Sequence, residues 1–165
     1  MAKFGRAAAA EDLERVNVFK DAILKGANRH KVRPAVLAAI ISRETRALPK
    51  FFIGDNGHGC GPAQIDDRSF PQICAEYKAN LKTNEEMIDF GARVLRDKCM
   101  ELRLNMHLKG ERERIERAGI AAYNTGARRV AMALAEMADV DRMTTNKNYS
   151  SDVLERAAFF AENGF

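Results

Sequence analysis

Pro34-Ala35-Val36-Leu37-Ala38-Ala39-Ile40-Ile41-Ser42-Arg43-Glu44 is the stretch on which the reading of this chain turns. Proline suits the first position of a helix, and Leu37, Ile40, Ile41 and Glu44 recur at i, i+3, i+4 and i+7. The spacing predicts a helix whose apolar face ends in a carboxylate. Burial disfavours the charged form of such a group, and the partial negative charge of a helix C-terminus acts in the same direction. Both favour an acid that keeps its proton near neutral pH, the form that glycoside cleavage requires to protonate the departing oxygen. Arg43 and Arg46 oppose this if they approach the carboxylate. For Glu44 taken alone, a solvated or Arg-paired residue at a fraying helix end is the plainer reading.

Ten residues on, Gly54-Asp55-Asn56-Gly57-His58-Gly59-Cys60-Gly61 carries four glycines in eight positions, followed by Pro62-Ala63-Gln64-Ile65-Asp66. That density excludes helix and predicts a loop whose backbone can approach a ligand closely. Asp55 and Asp66 bracket it. They are candidates to hold or deprotonate a water across a sugar from Glu44, as in inverting glycosidases, where acid and base stand roughly 6.5–9.5 Å apart. A surface turn, for which Asp, Asn and Gly are ordinary occupants, is the alternative. Further on, Tyr123 and Asn124 end a helical pattern at Gly126, where Asn is common as a cap, and Tyr149 precedes another helix, where a lone Tyr often packs its ring.

Four segments taken in order carry a family resemblance. They are Ile40-Ile41-Ser42-Arg43-Glu44, then Gly54-Asp55-Asn56-Gly57 through Gln64-Ile65-Asp66, then Gly119-Ile120-Ala121-Ala122-Tyr123-Asn124-Thr125-Gly126-Ala127, then Asn148-Tyr149-Ser150-Ser151-Asp152-Val153-Leu154-Glu155-Arg156-Ala157. Over residues 34–165 the chain resembles goose-type lysozyme. The resemblance implies a mainly α, lysozyme-like α+β fold, a helical bundle with a small β-sheet or hairpin beside a substrate cleft. It implies cleavage of the β-1,4 bond between N-acetylmuramic acid and N-acetylglucosamine. On the same basis Glu44 matches the general acid, Asp55 and Asp66 the aspartates associated with the water, and Gln64, Tyr123, Asn124 and Tyr149 residues lining the groove. Two places depart from the family pattern. Gly61-Pro62-Ala63-Gln64 stands where the family has a longer apolar side chain, and residues 45–53 carry Pro49, Phe51 and Phe52. These rings can line the cleft, with at least one expected in the core.

With 165 residues, 46% of them hydrophobic, the chain can bury a core without metals or crosslinks, and one domain is expected, with residues 1–33 as an N-terminal helical segment. The formal charge of +4 suits an anionic polymer. Arg112, Arg114 and Arg117 alternate with Glu111, Glu113 and Glu116, which reads as a solvated helix face rather than a phosphate-binding stripe. Cys60, Cys74 and Cys99 cannot all pair and read as reduced thiols; no metal-ligand spacing links them to His30, His58 or His107. A Cys60 nucleophile lacks an oriented base. Asp55 and Asp66 have the separation of calcium-loop ends, but Gly57 and Gly59 fall at ligand positions. No cofactor or metal is expected. Residues 1–10 hold no apolar core long enough for a secretory signal, and no stretch is long enough to span a membrane. That pattern fits a mature secreted form or a product held in the cytoplasm until release.

Helices are expected over residues 11–29, 34–44, 84–106, 114–123, 128–137 and 151–162. In the third, Asn84 is the expected cap, and Ile88, Ala92, Leu95, Cys99, Leu102 and Met106 keep core spacing. The reading that unites these features is an inverting muramidase in which Glu44 donates the proton and Asp66, helped by Asp55, directs the water. The partner is peptidoglycan or a related N-acetylated polysaccharide, with no nucleic acid, no membrane, and a monomeric state. A lytic transglycosylase, a chitin-cleaving enzyme and a catalytically silent binding module are the competing readings. A mere binder has no reason to place an acid on an apolar face.

Overall fold

The computed structural model describes residues 4–105 and 111–165. Among them are eight α-helices: α1 Gly5–Asn17, α2 Lys20–His30, α3 Pro34–Thr45, α4 Pro71–Lys78, α5 Asn84–Asn105, α6 Arg112–Thr125, α7 Ala127–Ala135 and α8 Tyr149–Glu162. A three-stranded antiparallel sheet, β1 Ile53–Gly54, β2 Gly59–Cys60 and β3 Ile65–Asp66, lies between α3 and α4 in the chain. Its register pairs Ile53 with Cys60 and Gly59 with Asp66. The mainly α fold with a small sheet is thus present.

Helix α3 is the centre. Every residue over 35–42 is buried, with α8, α2 and α1 packed around it. The sequence reading gave this helix one apolar stripe; the structure corrects that to burial on all sides, which its unbroken apolar run Pro34 to Ile41 requires. The stripe on α5 is as expected, with Ile88, Ala92, Leu95 and Leu102 buried and Cys99 half-buried. Met106 and His107 lie outside the described residues. The start of α5 differs: Thr83, not Asn84, supplies the cap. The Thr83 and Glu86 side chains each accept a backbone N–H from the other residue, at 3.2 and 2.8 Å, forming a capping box. Asn84 instead accepts the Tyr77 hydroxyl at 2.7 Å.

The single helix expected over residues 11–29 is two. The amides of Val18 and Phe19 bond the carbonyls of Arg15 and Val16, three residues back, which tightens and ends α1. Val16, Asn17 and Val18 are poor helix formers, and the break lets α1 pack on α8 and α3 while α2 packs on α5 and α3. Phe19 then meets Phe52 with ring centroids 6.1 Å apart. Helix α4 had no counterpart in the sequence reading, although Pro71 at its first turn is a start signal. It covers a small second core of Cys60, Ile65, Cys74, Met87 and Val94 beneath the sheet. The three cysteines are free, and burial pushes the Cys99 thiol up to about 12 and raises Cys74 as well. Neither is a neutral-pH nucleophile.

Asp141, 2% exposed, fixes where α8 begins. Its carboxylate accepts the Ser150 amide at 2.7 Å, the Ser151 amide at 3.1 Å and both serine hydroxyls at 2.8 Å. Burial raises the pKa of such an acid, but these hydrogen bonds together outweigh it and hold Asp141 below its ordinary value. Asp141→Ala would leave buried donors unpaired, each costing roughly 1–3 kcal/mol. Denaturant unfolding should show a loss of at least this size. Because the folded pKa is depressed, the difference from the parent is full above the unfolded value of about 3.9 and closes as pH falls below it.

Candidate active site

Glu44 is the penultimate residue of α3, where the buried helix reaches the surface beside the sheet, and is itself partly buried. The hydroxyl of Tyr149, the first residue of α8 and 1% exposed, donates to Glu44 Oε1. Burial is the main cause that pushes the Glu44 carboxyl up to about 7. The Tyr149 hydrogen bond and the Arg43 charge oppose it, and the negative charge of Asp55 adds to it. Glu44 is therefore an acid divided between its two forms near neutrality. Burial, followed by the Glu44 charge, raises the phenols of both Tyr149 and Tyr123 well above their ordinary range, so both stay protonated donors.

The two arginines beside Glu44 divide. Arg46 turns away, its Nε 3.0 Å from Asp12 and its Nη2 3.1 Å from Glu11. Arg43 stays close: its guanidinium lies 5.7 Å from the Tyr149 ring centre and 3.3 Å from Asp152. Behind it runs a buried polar network. Asp152 also accepts the Gly5 amide at 2.6 Å and Arg156 Nε at 2.8 Å, while Arg156 donates to Ser42 Oγ, which donates to Asp12, each at 2.8 Å. Buried charges of this kind persist only when paired and hydrogen-bonded.

One hydrogen bond ties the glycine-rich loop to the end of α3, a second ties it to α6, and a third braces it against the turn before β1. Thr45 Oγ1 donates to the Pro62 carbonyl at 2.8 Å, Tyr123 to the Ala63 carbonyl at 2.8 Å, and Gln64 Nε2 to the Phe51 carbonyl at 2.9 Å. The glycines have a specific cause. A Cβ at Gly54 or Gly59 would sit 2.2 or 2.1 Å from Gln64 Oε1, so the pair makes room for the Gln64 side chain over the hairpin. At the Pro62-Ala63 departure, Ala63 is fully buried and packs on α5, where a Cβ added at Gly91 would lie 2.9 Å from the Ala63 Cβ. Phe52 is in the core and Phe51 is 43% exposed beside the sheet.

Asp55 and Asp66 meet on one cation that the sequence reading missed. Arg68 donates from Nη2 to Asp55 at 2.8 Å and from Nε to Asp66 at 2.7 Å, and all three side chains are open to solvent. Its signal was local, since an arginine two residues after an aspartate at a strand end can fold back on it. On the outer side of the loop, hydrogen bonds from Lys78 and His58 to Asp67 hold that acid below its usual range.

The residues expected to line the groove are thus placed unevenly. Tyr149 bonds Glu44 directly, and Tyr123 lies within reach of its charge with its hydroxyl committed to Ala63. Gln64 braces the hairpin. Asn124 is turned to the 145–147 turn, accepting the Thr145 amide at 2.9 Å. Among the described residues no group of three or more His, Cys, Asp or Glu could hold a metal ion, and no helix is long and apolar enough to cross a membrane.

The family model "Lysozyme g" matches residues 4–164, so the likeness takes in α1 and α2 as well as the segments read from the sequence. The chain is 35% identical to lysozyme g of Cyprinus carpio, covering 95% of this chain and 80% of that one. It is 32% identical to lysozyme G of Dromaius novaehollandiae, over 97% and 74%, and 32% identical to lysozyme g of Gallus gallus, over 97% and 72%.

A raised carboxyl pKa in the folded state means that the native protein loses stability as pH rises from the unfolded value, about 4.3, through about 7. Glu44→Gln removes the ionisation. The variant should melt at a higher temperature than the parent at pH 8, with the difference shrinking toward pH 4, as followed by circular dichroism.

Proposed function

Because the chain belongs to the lysozyme g family, and is a lysozyme-type glycosidase with a cell-wall polysaccharide as its substrate, we propose that it cuts the β-1,4 bond between N-acetylmuramic acid and N-acetylglucosamine with inversion. Glu44 donates its proton to the glycosidic oxygen as the bond breaks. A water held by Asp66 and Asp55 attacks the anomeric carbon from the opposite face and gives up its proton to that pair. The whole chain acts as one catalytic domain and as a monomer.

One observation carries this reading: a carboxyl raised to about 7 and bonded by a protonated phenol, beside a pair of aspartates fixed on one arginine. Desolvation supplies the proton at neutral pH, and Tyr149 stabilises the carboxylate left after transfer. Arg68 limits the repulsion that two exposed aspartates exert on each other and aims both from one point. Phe51, exposed beside the sheet, offers a face for a sugar ring.

Glu44→Gln should lower turnover of purified peptidoglycan by at least about 10²–10⁴-fold, the usual contribution of general acid catalysis. Asp66→Asn and Asp55→Asn should each reduce it, and the double variant more than either. Near-parental turnover in Glu44→Gln would remove that residue from the mechanism. Proton NMR early in the digestion should show the α-anomer of the new reducing end; an initial β-anomer would mean a covalent intermediate, and an anhydro end would mean transglycosylation.

The pH profile gives a further check. An acid catalyst loses activity as pH rises through its pKa, so kcat/KM should fall above about pH 7. Tyr149→Phe removes a hydrogen bond that favours the carboxylate, so the falling limb should move to higher pH even where the maximum rate drops. A limb that stays in place or moves down would show that Tyr149 does not set the Glu44 pKa.

A further inference from the structure

A groove of about 650 Å³ opens between α2, α5 and α6 at the ends of α3 and α6 remote from Glu44 and Tyr123. Arg33, at its edge, precedes α3, and Glu44 lies eleven positions along, so roughly 16 Å of helix separates them. The charge here is one-sided. Arg29, Lys31, Arg33, Arg96, Arg103 and Arg112 face a single acid, Glu116. Three of the cations are engaged, Arg29 with Asp89 at 3.0 Å, Arg33 with Glu116 at 2.6 Å and Arg96 with Asp97 at 2.6 Å. Lys31, Arg103 and Arg112 are exposed and have no acidic partner among the described residues. A neighbouring groove of about 640 Å³ shares Arg33, Arg112 and Glu116 and continues past Glu113, past Arg114, paired with Glu111 at 3.5 Å, and past Arg117, paired with Asp139 at 2.9 Å. The two adjoin as one elongated channel, and the cations in it without an acidic partner among the described residues, Lys31, Arg103 and Arg112, all line the first groove.

We propose that this channel is a second binding site, for a phosphodiester-linked anionic polymer of the cell wall. Guanidinium groups bind phosphate oxygens in pairs, and a succession of them along two joined grooves matches a repeated charge better than one small anion. Leu95, Met100 and Ile115 give the floor an apolar strip for the methylene groups of a polyol backbone. Apart from the His30 ring, 11% exposed and held 3.2 Å from Asp89, neither groove is lined by an aromatic side chain, so a single-stranded nucleic acid would find arginine planes but no Phe, Tyr or Trp face on which to stack its bases. The choice of a wall polymer rests on the reading of the chain as a wall-cleaving enzyme. The site would hold the enzyme on its insoluble substrate while the cleft, at the other end of α3, works along the glycan.

The test uses the full chain and the double variant Arg103→Glu, Arg112→Glu, whose residues are exposed and outside the cleft. Binding to soluble poly(glycerol phosphate) is measured directly by titration at low and high salt, beside an oligonucleotide of equal charge. Glycan strands stripped of phosphate polymer measure cleavage alone. The parent should bind the polymer with an affinity that falls with salt, and the variant should lose at least about tenfold. Both should cleave stripped strands equally, while only the parent should clear polymer-bearing walls faster than stripped ones. No binding by the parent, equal binding by the variant, or tighter binding of the oligonucleotide through the same arginines would overturn the proposal. Failure to cleave stripped strands would count against the muramidase reading instead, since binding is read independently.

Discussion

A helix buried on every side can carry a carboxylate only where it leaves the core, and that constraint organises this molecule. Helix α3 is enclosed by α8, α2 and α1, with residues 35–41 no more than 3% exposed, so Glu44 appears at its last turn, against the sheet. The site environment follows from what must seal that exit. Tyr149 closes one side because Asp141 fixes the first turn of α8. The loop closes another because Thr45, next to Glu44, accepts no freedom from it and holds the Pro62 carbonyl. Raising an acid to about 7 is then a consequence of packing rather than of any one neighbour.

The same exit explains the buried ions behind the helix. Asp12, Ser42, Asp152 and Arg156 bind α1, α3 and α8 together through hydrogen bonds rather than apolar contact. Replacing such a set by well-packed apolar groups is often neutral for stability, so its value here lies in geometry. It holds Arg43 over the Tyr149 ring, where that charge moderates the rise in the Glu44 pKa instead of cancelling it with a direct ion pair. An arginine free to reach the carboxylate would make a carboxylate of it permanently.

Much of this was legible in the sequence, and the failures have a common form. Pro34 and the spacing of Leu37, Ile40 and Ile41 placed α3 and set Glu44 at its end. The unbroken apolar run also signalled enclosure, but a stripe and a fully buried helix share those positions. The loop glycines were read as room for a ligand, whereas at Gly54 and Gly59 the space is taken by Gln64. Hairpin register brings those residues together, and register is not visible in a glycine count. Taken alone Tyr149 read as a packing ring, and only the family resemblance set it in the groove, because its partner lies 105 positions upstream. The alternating charges of residues 111–117 read as a solvated face, and Glu111 to Arg114 are indeed exposed; what the sequence did not show is that the fold brings Lys31, Arg96 and Arg103 alongside, from the end of α2 and from α5.

The two ends of α3 are suited to opposite charges. The macrodipole places partial positive charge at an N-terminus and partial negative charge at a C-terminus, each worth about 0.3–1 kcal/mol to a nearby ion. At the C-terminus the effect disfavours a carboxylate, adding to the desolvation that keeps the proton on Glu44. At the N-terminus, where neither α3 nor α6 has a side-chain cap, it favours an anion and adds to the surrounding arginines. Reversing the helix would place the acid where its charged form is stabilised and the basic groove where anions are repelled. The direction of one buried helix therefore fits both the protonated acid in the cleft and an anionic polymer held at the far side.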